Sequence, residues 1–143
     1  MKSRGLGVYK EAHAQELDQA RLILMMYSGA VRFLDKAIEA GDNDAAVMND
    51  QVSRAKRVIL ELMASIDIEH GGEMSVTLLT MYRRLFAKLN EAHIRDDLVR
   101  IGEVRDSMIE LESAWREVFK SPEYHEFKQD PAVYRIIHGI SAR

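Results

Sequence analysis

The stretch Ile66 to Tyr82, IDIEHGGEMSVTLLTMY, places two adjacent glycines between two long segments of helical periodicity. Glycine has no Cβ and accepts positive φ, so Gly71-Gly72 predicts that one helix stops and the next begins. Glu73 then falls in the first turn of the new helix, facing the positive end of its peptide dipoles. Backwards from this corner, Met48, Val52, Ala55, Ile59, Leu62 and Ile66 recur every three or four residues, the stripe of a helix entered through Asp42 or Asp44. Lys56 and Arg57 fall on its outer side. Forwards, Met74, Leu78, Met81, Tyr82, Leu85, Leu89 and Ala92 mark the next stripe. The glycine pair itself reads as a tight helix–helix turn, not as a contact site.

The same pattern extends to both sides. A first helix is predicted from Asp18, an N-cap residue, through Ile23, Met26, Ala30, Leu34 and Ala37 to Gly41. A fourth, entered through Asp96 or Asp97, carries Leu98, Ile101, Val104, Met108, Leu111, Trp115 and Val118. Strand-like alternation is absent. Connections of a few residues make consecutive helices antiparallel, so the fold class is all-α: an up-down-up-down four-helix bundle, core about 18–119, in one domain of 1–143. Over the C-terminal extension, 120–143, Ser121-Pro122 and Asp130-Pro131 each set a capping residue before a proline. Two short extra helices follow, about 122–128 and 131–138, laying Tyr124, Phe127, Val133, Ile136 and Ile137 on the bundle before Gly139.

Composition excludes several roles. A chain of 143 residues with 47% hydrophobic and 30% charged side chains can bury a core, and two prolines and eight glycines leave little room for disorder. A net charge of −3 without a basic stripe offers no electrostatic footprint for nucleic acid. Zero cysteines exclude disulfides, thiolate metal sites and thiol nucleophiles, and suit a reducing cytosol. MKSRGLGVYKEAH has no signal-peptide core, and no run of about eighteen apolar residues is present for membrane insertion. The expected location is the cytosol.

Helix one carries an anomaly. Leu22-Ile23-Leu24-Met25-Met26-Tyr27 is apolar all the way round, and Ala30, Val31, Phe33 and Leu34 continue on more than one face. A bundle helix needs only a stripe, so something must cover its other side. Leu79 and Phe86, off the predicted seam of helix three, repeat the hint. Either the terminal segments supply the cover, or the surface is a groove for an amphipathic partner segment. Met25, Met26, Met74 and Met81 would let such a groove adapt, although methionine in helical register also fills ordinary cores.

Catalytic constellations are missing. A di-iron bundle needs inward Glu-x-x-His pairs; the nearest motif, Asp67-x-x-His70, is single and lies at a helix end. A phosphorelay histidine belongs mid-helix, whereas His93, the best placed of five, falls in a last turn where imidazole caps carbonyls. No nucleophile elbow or phosphate-cradling loop occurs. The chain reads as a non-enzyme with no cofactor and no metal.

Leu22 to Ala30, Gly71-Gly72-Glu73 followed by Leu78 and Met81-Tyr82, Leu89-x-x-Ala92 and Ala114-Trp115 together, in order and spacing, resemble the flagellar export chaperone family FliS over about residues 6–119. The resemblance implies a helical bundle that binds the disordered C-terminal segment of flagellin in the cytosol. It would prevent premature polymerisation and deliver the subunit to the flagellar type III export gate, without catalysis. Leu6-x-x-Tyr9 resembles the family's N-terminal lid, which can lie in the pocket the client uses. Expected groove or lid residues are Leu6, Tyr9, Ile23, Met26, Tyr27, Leu79, Tyr82 and Phe86; Tyr82, on the seam, is expected to be buried. The chain departs from the family where Ser28 replaces an acid, Thr77 and His93 replace asparagines, and Asp18-Gln19 replaces Ser-Pro. An adaptor bundle of the same fold, serving another export or regulatory protein, is the alternative.

Overall fold

The computed structural model describes residues 2–120, with side chains from Arg21 onward apart from His70 and Gly71. Four helices follow one another: α1, Lys2–Ala40; α2, Ala45–Ser65; α3, Ile68–Arg95; and α4, Leu98–Lys120. A single 3₁₀ turn, Gly41–Asn43, joins α1 to α2, and no strand occurs among the described residues. α1 and α3 each pack against both α2 and α4, which closes the ring of an antiparallel up-down-up-down bundle. The short C-terminal helices expected after Ser121 lie outside the described residues.

Local chemistry at the corners explains where the helices end. Asp44 caps α2, its Oδ1 accepting from the Val47 N–H at 3.1 Å. Asp97 does the same for α4 through the Arg100 N–H at 3.2 Å. α3 closes in a Schellman motif: Asp96 adopts φ +52°, the Asp97 N–H reaches the Ala92 carbonyl at 2.9 Å, and the Asp96 N–H reaches that of His93 at 3.4 Å. Gly41 turns the chain at φ +49° beneath α4, where an added Cβ would stand 3.4 Å from Leu98 Cδ1.

Two predicted boundaries and one predicted seam move. Helix one does not start at Asp18: α1 is helical from Lys2. From Val8 to Ser28 there is neither glycine nor proline, so continuing the backbone ladder satisfies the N–H groups that a cap at Asp18 would have served. Leu6 and Tyr9 fall on this first half, whose side chains lie outside the described residues. Helix two stops at Ser65, before the glycine pair. The Ser65 hydroxyl donates back to the Leu62 carbonyl at 2.7 Å, and Ile66 turns extended at ψ 129° with its side chain in the core. The corner is thus spread over Ser65 to Gly72, and the break falls on Gly72, with φ 60° and ψ −142°.

The seam of α3 is the third change. Ser75 and Leu79 point inward in place of Met74 and Leu78, and Met74 and Met81 are exposed. Ser75 is fully buried because its hydroxyl donates to the Asp67 carbonyl across the corner at 2.9 Å, a contact that hydropathy cannot anticipate. From Tyr82 onward, Leu85, Leu89 and Ala92 are buried as predicted. So are the five α2 positions from Met48 to Leu62, Ile66 just beyond the helix, and Ile101, Val104 and Met108 of α4. On α1 the core residues are Ile23, Tyr27, Ala30, Leu34 and Ala37, with Met26 half-buried beside them.

Candidate partner-binding surface

A buried polar pin holds α1, α3 and α4 together. The Tyr27 and Tyr82 hydroxyls are hydrogen-bonded, and the Trp115 Nε1–H donates to the Tyr27 hydroxyl at 2.8 Å. Tyr27 is 0% and Tyr82 2% exposed. Burial pushes the Tyr82 phenol up to about 12, opposed by its hydrogen bond to Tyr27. Burial raises the Tyr27 phenol further, with the neighbouring Tyr82 adding to it. Both hydroxyls therefore stay protonated at neutral pH and link three helices without burying charge.

Around this pin the structure sorts the expected groove residues by depth. Ile23, Tyr27, Leu79 and Tyr82 are core, so a partner would meet the surface above them rather than their side chains. Met26 and Phe86 are half-buried, packed against the core. Leu79, placed off the seam by spacing alone, is on it, because Ser75 sets the phase of α3.

The open apolar surface lies beside these residues. On α1, Leu22 is 41% and Met25 61% exposed, and Leu24, Met26, Val31 and Phe33 are half-buried. A groove of about 440 Å³ lies between α1 and α4, lined by Met25, Ser28, Val31, Arg32 and Glu112. Its polar end is organised: Ser28 Oγ donates to Glu112 Oε1 at 2.9 Å, and Arg116 Nη2 holds the same oxygen at 2.6 Å. Ser28, the departure from the acid of the resemblance, thus pairs with a carboxylate supplied by α4. Glu112 was not singled out from the sequence, since only the packing of α4 on α1 brings it there. A second groove, of about 460 Å³, runs between α3 and α4 past Met81, Leu85, Leu111 and Ala114.

His93 does not cap a carbonyl. Its Nε2 meets Asn49 Oδ1 at 2.9 Å, and its Nδ1 meets Lys56 Nζ at 3.2 Å. An ammonium only donates, so Nδ1 accepts and Nε2 carries the proton of a neutral ring. Partial burial lowers the His93 pKa, and Lys56 lowers it further. Lys56, expected on the outer side, is half-buried and also donates to Asn90 Oδ1 at 2.9 Å. This cluster ties α2 to α3 and engages both ring nitrogens of His93. Among the described residues, no group of three or more His, Asp or Glu could hold a metal ion.

The chain matches the family model for the flagellar protein FliS over residues 3–122. It belongs to the FliS family. The flagellar secretion chaperone FliS of Campylobacter jejuni (serotype O:6) is 32% identical over 77% of this chain and 87% of that protein. The FliS of Escherichia coli (strain K12) is 28% identical over 85% of this chain and 88% of its own length. That of Bacillus subtilis (strain 168) is 25% identical over 79% and 84%, respectively. The FliS family is one of flagellar secretion chaperones, and a helical bundle is its fold. The family match ends at residue 122, so most of the chain beyond α4 is outside it. No helix among the described residues is long and apolar enough to cross a membrane.

Proposed function

We propose that this chain is a cytosolic, non-enzymatic flagellar secretion chaperone. It binds the disordered C-terminal segment of flagellin, holds it back from premature polymerisation and hands it to the flagellar type III export gate. The observation that carries the reading is the two-sided α1: its inner face is filled by the bundle, while Leu22 and Met25 of its outer face stand exposed. An unfolded tail with apolar faces gains by folding against such a surface, and burial over a large area offsets the cost of ordering it. Met26 and Phe86 form the rim of the site, Ile23, Tyr27, Leu79 and Tyr82 its supporting floor, and Leu6 and Tyr9 a lid that competes with the client. One domain, 1–143, does this work without cofactor, nucleic acid or membrane insertion.

Titration of the full chain with a peptide from the C-terminal region of the flagellin of the same genome tests it. Saturable binding with a gain in helicity is the expected result. No binding at about 10 μM or above, weaker than roughly −7 kcal/mol, would turn the assignment towards an adaptor for another export or regulatory protein.

A further inference from the structure

We propose that the last turns of α4, from Ile109 to Lys120, form a latch that swings away from α1 and α3 while the rest of the bundle stays folded. Burial divides α4 at Met108. Ile101, Val104 and Met108 are buried, whereas no residue from Ile109 to Lys120 is, although Leu111, Trp115 and Phe119 rest against the core. On the facing helices, Tyr27 and Tyr82 are sealed. A groove lies on each flank of this stretch, about 440 Å³ on the α1 side at Glu112 and about 460 Å³ on the α3 side at Glu110, Leu111 and Ala114. Side chains bordered by such gaps lack neighbouring atoms and gain less from dispersion. Among the described residues, the ion pairs from α4 to other helices all fall before Met108: Arg105–Asp35 at 3.1 Å, Glu103–Lys88 at 2.6 Å and Arg100–Glu91 at 3.8 Å.

Two hydrogen bonds act as catches. Ser28 Oγ donates to Glu112 Oε1 at 2.9 Å, and Trp115 Nε1–H donates to the Tyr27 hydroxyl at 2.8 Å. The groups that opening would part keep a second partner on their own side. Glu112 Oε1 retains Arg116 Nη2 at 2.6 Å, within the latch. The Tyr27 hydroxyl retains that of Tyr82, within the bundle. The Trp115 ring stays stacked on Phe119, their centroids 5.7 Å apart and their planes inclined by 23°.

Ser28 and Trp115 are both only half-buried, so water replaces the partner each of them loses. Opening therefore strands neither a charge nor a buried hydroxyl, and the penalty that usually keeps buried polar contacts shut is absent. One helix end with two arrangements, each satisfying its polar groups, is a two-state element. In the closed form Trp115 holds Tyr27 from solvent; in the open form that ring is laid bare, so apolar surface is gated rather than permanently exposed. The latch belongs to the free chain and stands whether or not flagellin is the client.

Native-state hydrogen exchange of the full chain tests it, because a helix of so few turns is marginal in water once its packing is lost. The amides from Ser113 to Phe119 are expected to share one level of protection, at least about a hundredfold below that of Ile101 to Met108. Ser28→Ala removes one catch and should lower the shared level at least about twofold across the whole latch, leaving Ile101 to Met108 unchanged. Trp115→Phe, which keeps an aromatic ring beside Phe119 but not the N–H, should do the same. Protection that climbs residue by residue from Lys120 and ignores Ser28→Ala is ordinary end fraying and overturns the proposal. Protection equal to that of Ile101 to Met108 also overturns it, as does a loss that spreads to those amides in both variants, since the catches would then hold the bundle as a whole.

Discussion

The indole of Trp115 donates to the hydroxyl of Tyr27 at 2.8 Å, joining α4 to α1 through an oxygen that has no access to solvent. Because Tyr82 meets the same oxygen from α3, Tyr27 is the centre of the pin and Tyr82 its end. Tyr27→Phe strips both neighbours of their partner and is expected to cost about 1–3 kcal/mol. Tyr82→Phe leaves the Trp115 bond in place and should cost less. Urea unfolding of the two variants measures the order, and equal costs would contradict a central role for Tyr27.

Two glycine substitutions should move stability in opposite directions. Gly72 sits at φ 60° and ψ −142°, with nothing within 4 Å of where a Cβ would lie. Gly72→Ala therefore loses on backbone strain alone, on the order of 1–3 kcal/mol. Gly102 lies within α4, where a Cβ would make ordinary contacts at 3.8 Å with Ile38 and Arg105. Gly102→Ala should gain roughly 0.4–1 kcal/mol by restricting the unfolded chain. The thermal midpoints of both variants against the parent check the pair.

Stability should fall as the medium becomes mildly acidic, in part through His93. Its folded pKa lies below the ordinary value of 6.5, because burial and then Lys56 disfavour its charge while Asp96 opposes them. As pH drops below 6.5 the unfolded chain takes up a proton that the folded ring still refuses, so the unfolded state gains until the folded pKa is reached. Above 6.5 the contribution is fully present. His93→Gln removes this proton uptake, and its urea midpoint should change less between pH 7.5 and 5.5 than the parent's. An unchanged slope would show that the ring is not held neutral.

Partner binding and folding should separate at Met25. The residue is 61% exposed beside the α1–α4 groove, so Met25→Glu is expected to leave stability within about 0.5 kcal/mol. If the α1 surface receives the flagellin segment, the same change should weaken peptide binding at least about tenfold, or ~1.4 kcal/mol. Calorimetric titration beside thermal unfolding reads both quantities, and an unchanged affinity would remove this surface from the site.

The burial pattern of α2 was legible: five apolar positions at helical spacing, from Met48 to Leu62, are buried, and Ile66, read as the sixth, is buried from the extended residue that follows the helix. The caps were legible as pairs, Asp42 or Asp44 and Asp96 or Asp97, because a short carboxylate before an apolar run satisfies nearby N–H groups, and the structure selects Asp44 and Asp97. Less legible was the phase of α3. Between Met74 and Leu79 apolar residues lie on several faces, and the choice fell to the hydroxyl of Ser75, whose acceptor is the Asp67 carbonyl on the other side of the corner. The surface was split in the same way. An all-round apolar α1 could be read from residues 22–34, but not that Tyr27 would be sealed while Met25 stayed open.

Sequence alone determined that this is a bundle of four antiparallel helices of FliS type, because helix periodicity, caps and glycine turns act within a few residues along the chain. Only the tertiary structure decided which hydroxyls meet at Tyr27, which carboxylate faces Ser28, and which methionines remain outside. Those depend on the rotation of each helix about its axis, which is set by close packing and hydrogen bonds between residues 55–88 positions apart.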